Sequence, residues 1–364
     1  MKKRVLTMLL AGVLALMTGC AGKTLSSAET TQTIPAHTGQ TAATEPSTQP
    51  PQTEPPTTQP EEPEEFLLTF AGDCTLGSDK TTYGSMYSFI WTIGEDYDFP
   101  FRNVAQYFRE DDMTMVNLEG VLADSGTPGN GTFTFRGPTA YTQILTGSSV
   151  ETVAFANNHT MDYYQAGYDS TCRTLEEAGI PYVEKDKTML YTTESGLTVG
   201  FCAAWQVVDV ELVTQQVQQL RQQGAEIVVM ALHWGVEACY WVGAEQENLA
   251  HRLIDAGVDI VYGTHPHVLQ KIECYEGGII YYSLGNFSFG GHHWPRDLDS
   301  VVVQQHVIRE PDGTVHLGDT ELIPVCISST PPSNNFQPTP YEVDSEEYQR
   351  VLDKLGVAEA RFCP

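Results

Sequence analysis

The chain has 364 residues and a formal net charge of −28, because 47 Asp and Glu residues stand against only 19 Lys and Arg residues. A chain of this length can bury a sizeable hydrophobic core. Its acidity, with no basic cluster beyond the first residues, excludes sequence-independent nucleic-acid binding, because such binding needs a basic surface to neutralise phosphates.

Residues 1–20 have the pattern of a targeting segment. Residues 2–4 are Lys-Lys-Arg, and residues 5–17 form an apolar stretch that is too short to span a bilayer comfortably. Residues 18–20, Thr-Gly-Cys, resemble a bacterial lipobox in which Cys20 is lipidated and becomes the new N-terminus. We predict a lipoprotein anchored at the outer face of the cytoplasmic membrane by its acyl chains, with plain secretion as the alternative.

Residues 21–65 are rich in Thr, Pro, Gln, Glu, Ser and Ala and contain almost no aliphatic side chains. Such a segment cannot bury enough apolar surface to offset the entropy lost on ordering. We therefore predict a disordered stalk, followed by one folded domain at residues 66–330 and by a Pro-rich tail with a terminal helix at residues 331–364.

The cysteines after Cys20 include no Cys-x-x-Cys pair, and we predict that most are small buried apolar residues rather than a disulfide framework.

Helical and strand patterns alternate along the predicted domain. Helices are predicted at residues 141–145, 163–178, 213–223, 245–256 and 345–355, and strands at residues 152–156, 199–203, 226–232, 259–262 and 278–283. This alternation implies a parallel or mixed sheet that is covered by helices on both faces. The turn signal Pro311-Asp-Gly313 predicts an antiparallel hairpin between residues 300–308 and 315–325. Asp344 is predicted to cap the last helix together with Glu347.

Five apolar segments each run directly into a residue type that binds metals. They end at Asp73, at Glu119, at Asn158 with His159, at His233, and at His265 with His267. Buried strands of a parallel sheet have such apolar runs, and open α/β sheets bind ligands beyond the carboxyl ends of their strands. Chance can place one ligand type after a strand, but it rarely does so after five, so we expect these side chains to converge.

A metal site is the chemistry that this set predicts. The candidate ligands are Asp73, Glu119, Asn158, His233, His265 and His267. Carboxylate, amide and imidazole groups suit divalent cations such as zinc, manganese or iron. The absence of thiolate from the set favours an open, water-bearing site over a closed structural zinc site. Such a cation would polarise a phosphoryl or carbonyl oxygen and lower the pKa of a bound water.

Other residues are candidates for catalysis. His159 adjoins Asn158 too closely for both to chelate one ion easily, so we predict that His159 is a general acid facing the leaving group. Glu237 lies four residues after His233, which it would orient, or it would serve as a base. Asp162 is interpreted as a helix-start cap rather than as a catalyst.

Substrate contacts are predicted at two further positions. Arg136, in a loop of a very acidic chain, would grip an anionic group through its planar guanidinium, with a surface ion pair as the alternative. Asn286, in a tight turn, would line the same crevice. His292 and His293 follow two glycines, and they either close over a substrate or belong to a solvated loop.

Seven motifs occur in an order that indicates a known family. They are Gly72-Asp73, Asn117-Leu-Glu119, Phe135-Arg-Gly-Pro138, Ala156-Asn-Asn-His159, His233-Trp-Gly-Val-Glu237, Gly263-Thr-His-Pro-His-Val268 and Tyr282-Ser-Leu-Gly-Asn-Phe287. Over about residues 66–325 the chain resembles the poly-gamma-glutamate capsule synthesis protein CapA family. The resemblance implies the fold of calcineurin-like metallophosphoesterases, a four-layered α/β sandwich with a metal site at the strand ends, here with a C-terminal antiparallel hairpin.

The resemblance also implies roles for individual residues. Asn158-His159 would match the Gly-Asn-His motif of the phosphoesterases, and Glu119 would match their metal-bridging acid. His233, His265 and His267 would match the later histidine ligands. The chain departs from the pattern where Asp-x-His is expected, because Asp73 is followed by Cys74 and Thr75. We therefore predict one well-bound divalent ion, with a second ion weakly bound or absent.

Two functions remain open from the sequence. In the first, the protein is a lipid-anchored enzyme of the cell surface that hydrolyses or transfers a bond in an anionic envelope polymer, which the resemblance identifies as poly-gamma-glutamate. In the second, it is a non-catalytic accessory subunit of a membrane capsule synthase complex, and its site only binds polymer or an ion.

Overall fold

A computed structural model describes residues 62–363 of the protein. The predicted signal segment, Cys20 and almost all of the predicted stalk lie outside the described residues. Within residues 62–363, no helix is both long enough and apolar enough to cross a membrane.

The described residues form three sheets and several helices. The strands are β1 (Glu64–Thr75), β2 (Ser78–Asp79), β3 (Met113–Leu118), β4 (Val121–Leu122), β5 (Phe135–Gly137), β6 (Thr152–Phe155), β7 (Tyr182–Glu184), β8 (Thr188–Thr192), β9 (Thr198–Trp205), β10 (Ile227–His233), β11 (Ile260–Thr264), β12 (Ile272–Tyr275), β13 (Gly278–Tyr281), β14 (Asn286–Phe289), β15 (Asp299–Arg309), β16 (Val315–Cys326), β17 (Thr339–Pro340) and β18 (Arg361–Phe362). The helices are α1 (Phe89–Ile93), α2 (Ala105–Arg109), α3 (Thr142–Thr146), α4 (Tyr164–Ala178), α5 (Val210–Gln222), α6 (Ala244–Asp255) and α7 (Glu346–Leu355), and a 3₁₀ turn (Thr139–Tyr141) precedes α3.

The first large sheet has the strand order β17-β16-β15-β1-β3-β6-β7, with β14 pairing beside β1 and β18 beside β16. Strands β1, β3, β6 and β7 are parallel, so the carboxyl ends of β1, β3 and β6 lie at one edge of the sheet. Strand β14 pairs in parallel with the end of β1, opposite Asp73. A small sheet of β2, β5 and β4 lies separately.

The second large sheet has the order β12-β13-β11-β10-β9-β8, and β9, β10, β11 and β13 are parallel. Its central strands β9, β10, β11 and β13 are buried on both faces. Alternating residues show this directly: Val229 and Tyr262 pack between the two large sheets, whereas Met230 and Val261 pack under α5 and α6. Helices α3 and α4 cover the first sheet in the same way. The predicted four-layered α/β sandwich is confirmed.

The predicted hairpin is also confirmed, because β15 and β16 pair antiparallel along almost their whole length. The C-terminal segment differs from the predicted separate tail: β17 and β18 both pair with β16, so this segment completes the first sheet.

The predicted cap of α7 was wrong. Asp344 has a positive φ of 65°, whereas the extended Ser345 accepts the hydrogen bond from the Tyr348 N–H at 3.1 Å.

All cysteines of the described residues are free. Only Cys74, Cys202 and Cys326 of these seven are buried, so the prediction that most are buried was wrong. Cys172 and Cys239 are half-buried. Cys274 and Cys363 are exposed, so small apolar packing does not account for these two.

Candidate metal centre

The carboxyl edge of the first sheet contributes two buried acids. Asp73 lies near the end of β1, in register with Asn117 on β3 and Asn286 on β14. The Asn117 amide donates to Asp73 Oδ1 at 2.7 Å, which fixes the carboxylate. Glu119 directly follows β3, and both acids have no exposed surface. A buried acid needs a charged or hydrogen-bonding partner, so their surroundings determine what they can do.

The second sheet supplies imidazoles to the same place. His233 is the last residue of β10, and His265 and His267 follow β11. The His267 Nδ1 lies 3.3 Å from Asp73 Oδ2, and the His233 Nδ1 lies 3.8 Å from Asp73 Oδ1. His265 and His267 have positive φ values of 98° and 56°, a backbone conformation that is uncommon for residues with a side chain. Both large sheets therefore build one cluster.

An orphaned oxygen marks the centre of this cluster. Glu119 Oε1 is buried and accepts no hydrogen bond from any described residue. Three imidazole nitrogens surround it: the Nε2 atoms of His233, His267 and His159 lie at 3.5, 3.7 and 3.8 Å. Ligand atoms bound about 2.0–2.2 Å from one ion are themselves roughly 3–4 Å apart. This spacing fits donors to a shared cation and is too wide for hydrogen bonds.

Two groups of described residues present ligand atoms that all lie within 4.8 Å of one another. The first is Asp73, Glu119 and His267, and the second is Glu237, His265 and His267. His267 belongs to both. His233 adjoins both groups, since its Nε2 lies 3.0 Å from His265 Nδ1. Five of the six predicted ligands therefore lie in one cluster.

The sixth predicted ligand, Asn158, has a buried Oδ1 atom with no hydrogen-bond partner among residues 62–363, and its role as a ligand stays a prediction. The prediction overlooked its neighbour. The Asn157 amide donates to the Leu118 carbonyl at 2.8 Å, and its Oδ1 accepts from the His159 N–H at 3.0 Å. Asn157 thus ties the loop after β6 to the end of β3. The sequence indicated this role only through the adjacent pair Asn157-Asn158, and it did not distinguish which of the two residues is the ligand.

Burial and charge act against each other in the cluster. Burial alone would raise the pKa of Asp73, but the hydrogen bond and charge of His267 and the charge of His233 lower it overall. Burial raises the pKa of Glu119 to about 7, partly opposed by His267. Burial would lower the pKa of His267, but Glu119 and Asp73 raise it to about 10. Burial holds the pKa of His233 well below its usual range, so its imidazole is neutral, as a metal-binding imidazole must be.

Asp73 and Glu119 together raise the pKa of His267, so a positive charge beside these two acids is favoured. In the protein alone, a proton on His267 supplies it. A divalent cation would replace that proton, as metal binding generally does at histidine ligands. The donor set therefore fits a divalent cation both in its spacing and in its charge.

His159 lies at the exposed side of the cluster and contacts Asp162. The prediction that Asp162 caps the start of a helix was wrong. Helix α4 begins after Tyr163 with no side-chain cap, and Asp162 instead accepts from the Phe135 N–H at 2.6 Å and contacts His159 Nδ1 at 2.8 Å. Burial would lower the pKa of His159, but Asp162 and Glu119 raise it. The Phe135 ring lies 4.5 Å from the imidazole. Asp162 and Phe135 therefore orient His159.

Two other predicted residues contact the histidine loop. Asn286 Oδ1 lies 2.9 Å from His267 Nδ1, and its amide donates to the His267 carbonyl, so Asn286 positions a candidate ligand. Glu237 is exposed and lies near His265 and His267 rather than in a helical i,i+4 relation to His233, because residues 234–243 are not helical. Gln206, which the sequence did not suggest, lies 3.2 Å from His265 through its Nε2.

The contacts of the Arg136 guanidinium are made with residues other than the candidate metal ligands. Its Nη1 donates to the Ala123 carbonyl at 2.7 Å, and its guanidinium lies over the rings of Tyr83 and Tyr163 at 4.2 and 5.3 Å. On β5 it alternates with Phe135, whose ring packs on His159, so the Arg136 side chain leaves the other face of the strand.

The loop of His292 and His293 is held by aromatic contacts. His293 packs against Tyr87 at 5.1 Å and Trp294 at 4.5 Å, and His292 Nδ1 accepts from the Trp294 N–H. These contacts are internal to the surface around α1, and none of them involves the metal cluster.

Several known proteins are similar to this chain in sequence. A family model described as "Bacterial capsule synthesis protein PGA_cap" matches residues 67–291. The capsule biosynthesis protein CapA of Bacillus anthracis is 29% identical over 322 residues, which cover 80% of this chain and 74% of the relative. The PGA biosynthesis protein CapA of Bacillus subtilis (strain 168) is 32% identical over 236 residues, which cover 58% of this chain and 59% of the relative. A probable polyglutamine synthesis accessory protein of Mycobacterium tuberculosis is 28% identical over 225 residues, covering 50% and 58%.

Among solved structures, the chain is similar to NAD nucleotidase (NadN) of Haemophilus influenzae, with a TM-score of 0.39 and 12% identity over 82% of this chain and 64% of that chain. The sulfate thiohydrolase SoxB of Thermus thermophilus matches with a TM-score of 0.40 and 10% identity, over 79% of this chain and 59% of that chain.

Proposed function

This chain belongs to the bacterial capsule synthesis protein family PGA_cap, and on that premise we propose that it acts in the biosynthesis of a capsule or other envelope polymer as a metal-dependent hydrolase or transferase. The membership confirms the resemblance predicted from the seven motifs. The bacillary relatives are named for capsule and PGA biosynthesis, which supports poly-gamma-glutamate as the polymer. The observation that carries the catalytic part is the orphaned Glu119 Oε1, surrounded by imidazoles from both sheets.

The candidate holders of a divalent zinc, manganese or iron ion are Asp73, Glu119, Asn158, His233, His265 and His267. When bound, such an ion supplies Lewis-acid polarisation of a phosphoryl or carbonyl oxygen. The protein supplies the rest. Asn117 and Asn286 fix Asp73 and His267 by hydrogen bonds, so the cluster is organised before substrate arrives. Organised donors do not have to reorganise at the moment of reaction.

His159 is the proposed general acid. Its Nδ1 is held by Asp162, which leaves Nε2 directed toward the cluster, 3.8 Å from Glu119 Oε1. The Asp162 carboxylate stabilises the protonated imidazole, so a proton is held at Nε2 and can be delivered to a leaving group. His159 keeps some exposed surface, so it lies where a substrate can reach it.

The second candidate function is the non-catalytic accessory subunit, and one specific observation favours it. Thr75 stands where the phosphoesterase motif Asp-x-His has its histidine, and the Thr75 hydroxyl donates to Glu119 Oε2 at 3.4 Å. A hydroxyl at this position offers no imidazole to a second metal. The mycobacterial relative is also named as a probable accessory protein.

Metal analysis of the purified full chain, followed by turnover assays, separates the two functions. The enzyme proposal predicts about one divalent ion per chain and turnover of either a phosphodiester or poly-gamma-glutamate. Turnover should disappear on chelation and return with added metal. A metal-loaded chain that binds polyglutamate but turns over neither substrate would establish the accessory function instead.

We also propose that the protein is anchored to the outer face of the cytoplasmic membrane through Cys20. The support is the lipobox-like sequence at residues 18–20. Radiolabelled palmitate should enter the wild-type chain and not the Cys20→Ala variant, which should be released into the medium. Labelling of the variant would contradict this anchor.

A further inference from the structure

A cavity of about 370 Å³ adjoins the candidate metal cluster on the side of His265. Gln206 lines this cavity, and its Nε2 lies 3.2 Å from His265 Nε2, so the cavity and the cluster share a wall. The loop at its mouth is tied to the histidine loop, because the Ala238 N–H donates to the Pro266 carbonyl at 2.8 Å. Small-molecule sites commonly have volumes of about 300–1,000 Å³. We refer to this cavity as the Trp241 cavity.

The lining of the Trp241 cavity is neutral to acidic. Glutamine amides from three separate segments line it, Gln206, Gln246 and Gln270, and Glu245 adds a carboxylate. No Lys, Arg or His is among the described residues that line it. An anionic segment such as polyglutamate or a phosphate polymer would meet no cation here and would be repelled by the carboxylate.

The amides are partly organised already. Gln246 Nε2 donates to Gln270 Oε1 at 3.0 Å, and Gln270 Nε2 donates to the Cys239 carbonyl at 2.8 Å. Gln270 is buried and its Nε2 also donates to the Trp241 carbonyl at 3.4 Å, so its hydrogen-bonding capacity is largely used. Gln206 and Gln246 each keep an N–H donor and a carbonyl acceptor for a ligand. Amides of this kind match hydroxyl and acetamido groups, which also donate and accept.

Trp241 contributes a large planar apolar surface. It lines the cavity and is 74% exposed. An exposed indole beside a reactive site is typical of a ligand contact, since an aromatic ring combines a large apolar face with low conformational entropy. A planar apolar face surrounded by amides suits the flat face of a sugar ring, which presents C–H groups, with hydroxyls at its edge.

We infer that the Trp241 cavity binds an uncharged sugar ring, stacked on Trp241 and hydrogen-bonded by the glutamine amides. This inference rests on the proposed function, because it makes the ring part of a glycan whose neighbouring group lies at the metal cluster. The substrate class is then a glycan-containing envelope polymer, or a glycan acceptor of an anionic polymer, rather than a polyanion alone.

Calorimetric titration of the full chain with tri-N-acetylchitotriose tests the inference, with γ-linked triglutamate as the anionic comparison. We expect saturable binding of the trisaccharide. Trp241→Ala should weaken this binding about tenfold by removing one aromatic contact. Trp241→Phe should restore most of it. Trp294→Ala is the matched control, because Trp294 is 57% exposed and does not line the cavity, and it should bind like the wild type.

The titration is repeated after chelation. Trisaccharide binding should persist, because none of the candidate metal ligands lines the cavity. Persistent binding in a protein without turnover would therefore support the sugar site even if the catalytic proposal failed. No saturable trisaccharide binding, equal binding by Trp241→Ala, or tighter triglutamate binding that depends on Trp241 would each overturn the inference.

Discussion

Carboxyl groups at the two ends of the first large sheet differ in burial and in their neighbours: Asp73 and Glu119 are fully buried, whereas Asp111 and Glu151 are partly buried. At the carboxyl end, imidazoles surround Asp73 and lower its pKa despite burial, whereas burial raises the pKa of Glu119 to about 7. At the amino end, Asp111 and Glu151 precede β3 and β6 and contact Thr114, through its hydroxyl and its backbone N–H. Burial raises the pKa of each to about 7, and no cation opposes it.

The comparison teaches that a buried acid is not by itself a site. Burial disfavours the charged form, so a lone buried carboxyl becomes neutral near physiological pH. Asp73 stays charged because His267 and His233 converge on it, whereas at Glu119 burial outweighs the neighbouring imidazoles and the pKa stays raised. In this fold the bases come from the second sheet, whose parallel strands end at the same edge of the sandwich as those of the first.

Removing an imidazole at the carboxyl end should have the largest effect. His233→Ala should lower the metal content of the purified chain at least about tenfold, because one second-sheet ligand is lost and Glu119 loses a neighbour. Elemental analysis measures this. The control is His316→Ala, since His316 is half exposed and pairs with Glu310 in the distant hairpin. Unchanged metal stoichiometry in His233→Ala would show that the ligand assignment is mistaken.

His159→Ala should separate metal binding from chemistry. Loss of a general acid typically costs about 10²–10⁴-fold in rate, so turnover should fall by at least about a hundredfold. Metal content should stay at the wild-type level, because Asp73, Glu119 and His267 are unchanged. Assays with a phosphodiester and with poly-gamma-glutamate measure the rate, and retained activity would remove His159 from the mechanism.

Asp162→Asn should have an intermediate effect through His159. The amide still accepts the hydrogen bond from the Phe135 N–H but no longer stabilises a charged imidazole. We expect kcat to fall about tenfold with KM and metal content unchanged. A purely structural role for Asp162 predicts a lower melting temperature with no separate loss of kcat, and steady-state kinetics beside thermal unfolding distinguishes these outcomes.

The smallest effect is expected at the amino end. The pKa of Asp111 rises from 3.8 to about 7 on folding, so the native state binds more protons than the unfolded state between these values. Stability contributed by this group therefore falls as the pH rises from about 4 to about 7. Asp111→Asn keeps an acceptor for the Thr114 hydroxyl and should raise the free energy of unfolding at pH 8 by on the order of 1–3 kcal/mol.

Urea unfolding of wild type and Asp111→Asn at pH 4 and pH 8 measures this difference. The gain should be confined to the higher pH, where the wild-type carboxyl is forced to ionise in a buried position. A gain of equal size at both pH values would show that the effect does not come from ionisation.

Much of the fold could be predicted because its signals are local. The helix–strand alternation from α5 to β11 follows from apolar periodicity and from the glycines that end helices, and the observed bounds differ from the predicted ones by only a few residues. The hairpin followed from one Pro-Asp-Gly turn. The pairing of β17 and β18 with β16 could not be predicted, because a two-residue strand has no periodicity and exists only where a partner edge is available.

The candidate site divides in the same way. The sequence by itself determined which residue types follow the apolar strands, because a buried strand and the ligand type at its carboxyl end are adjacent in the chain. Only the tertiary structure decided that Asp162 holds His159, that Asn157 ties the β6 loop to β3, and that Gln206 adjoins His265. Side-chain partners far apart in the chain depend on how the two sheets stack, and no local pattern encodes that geometry.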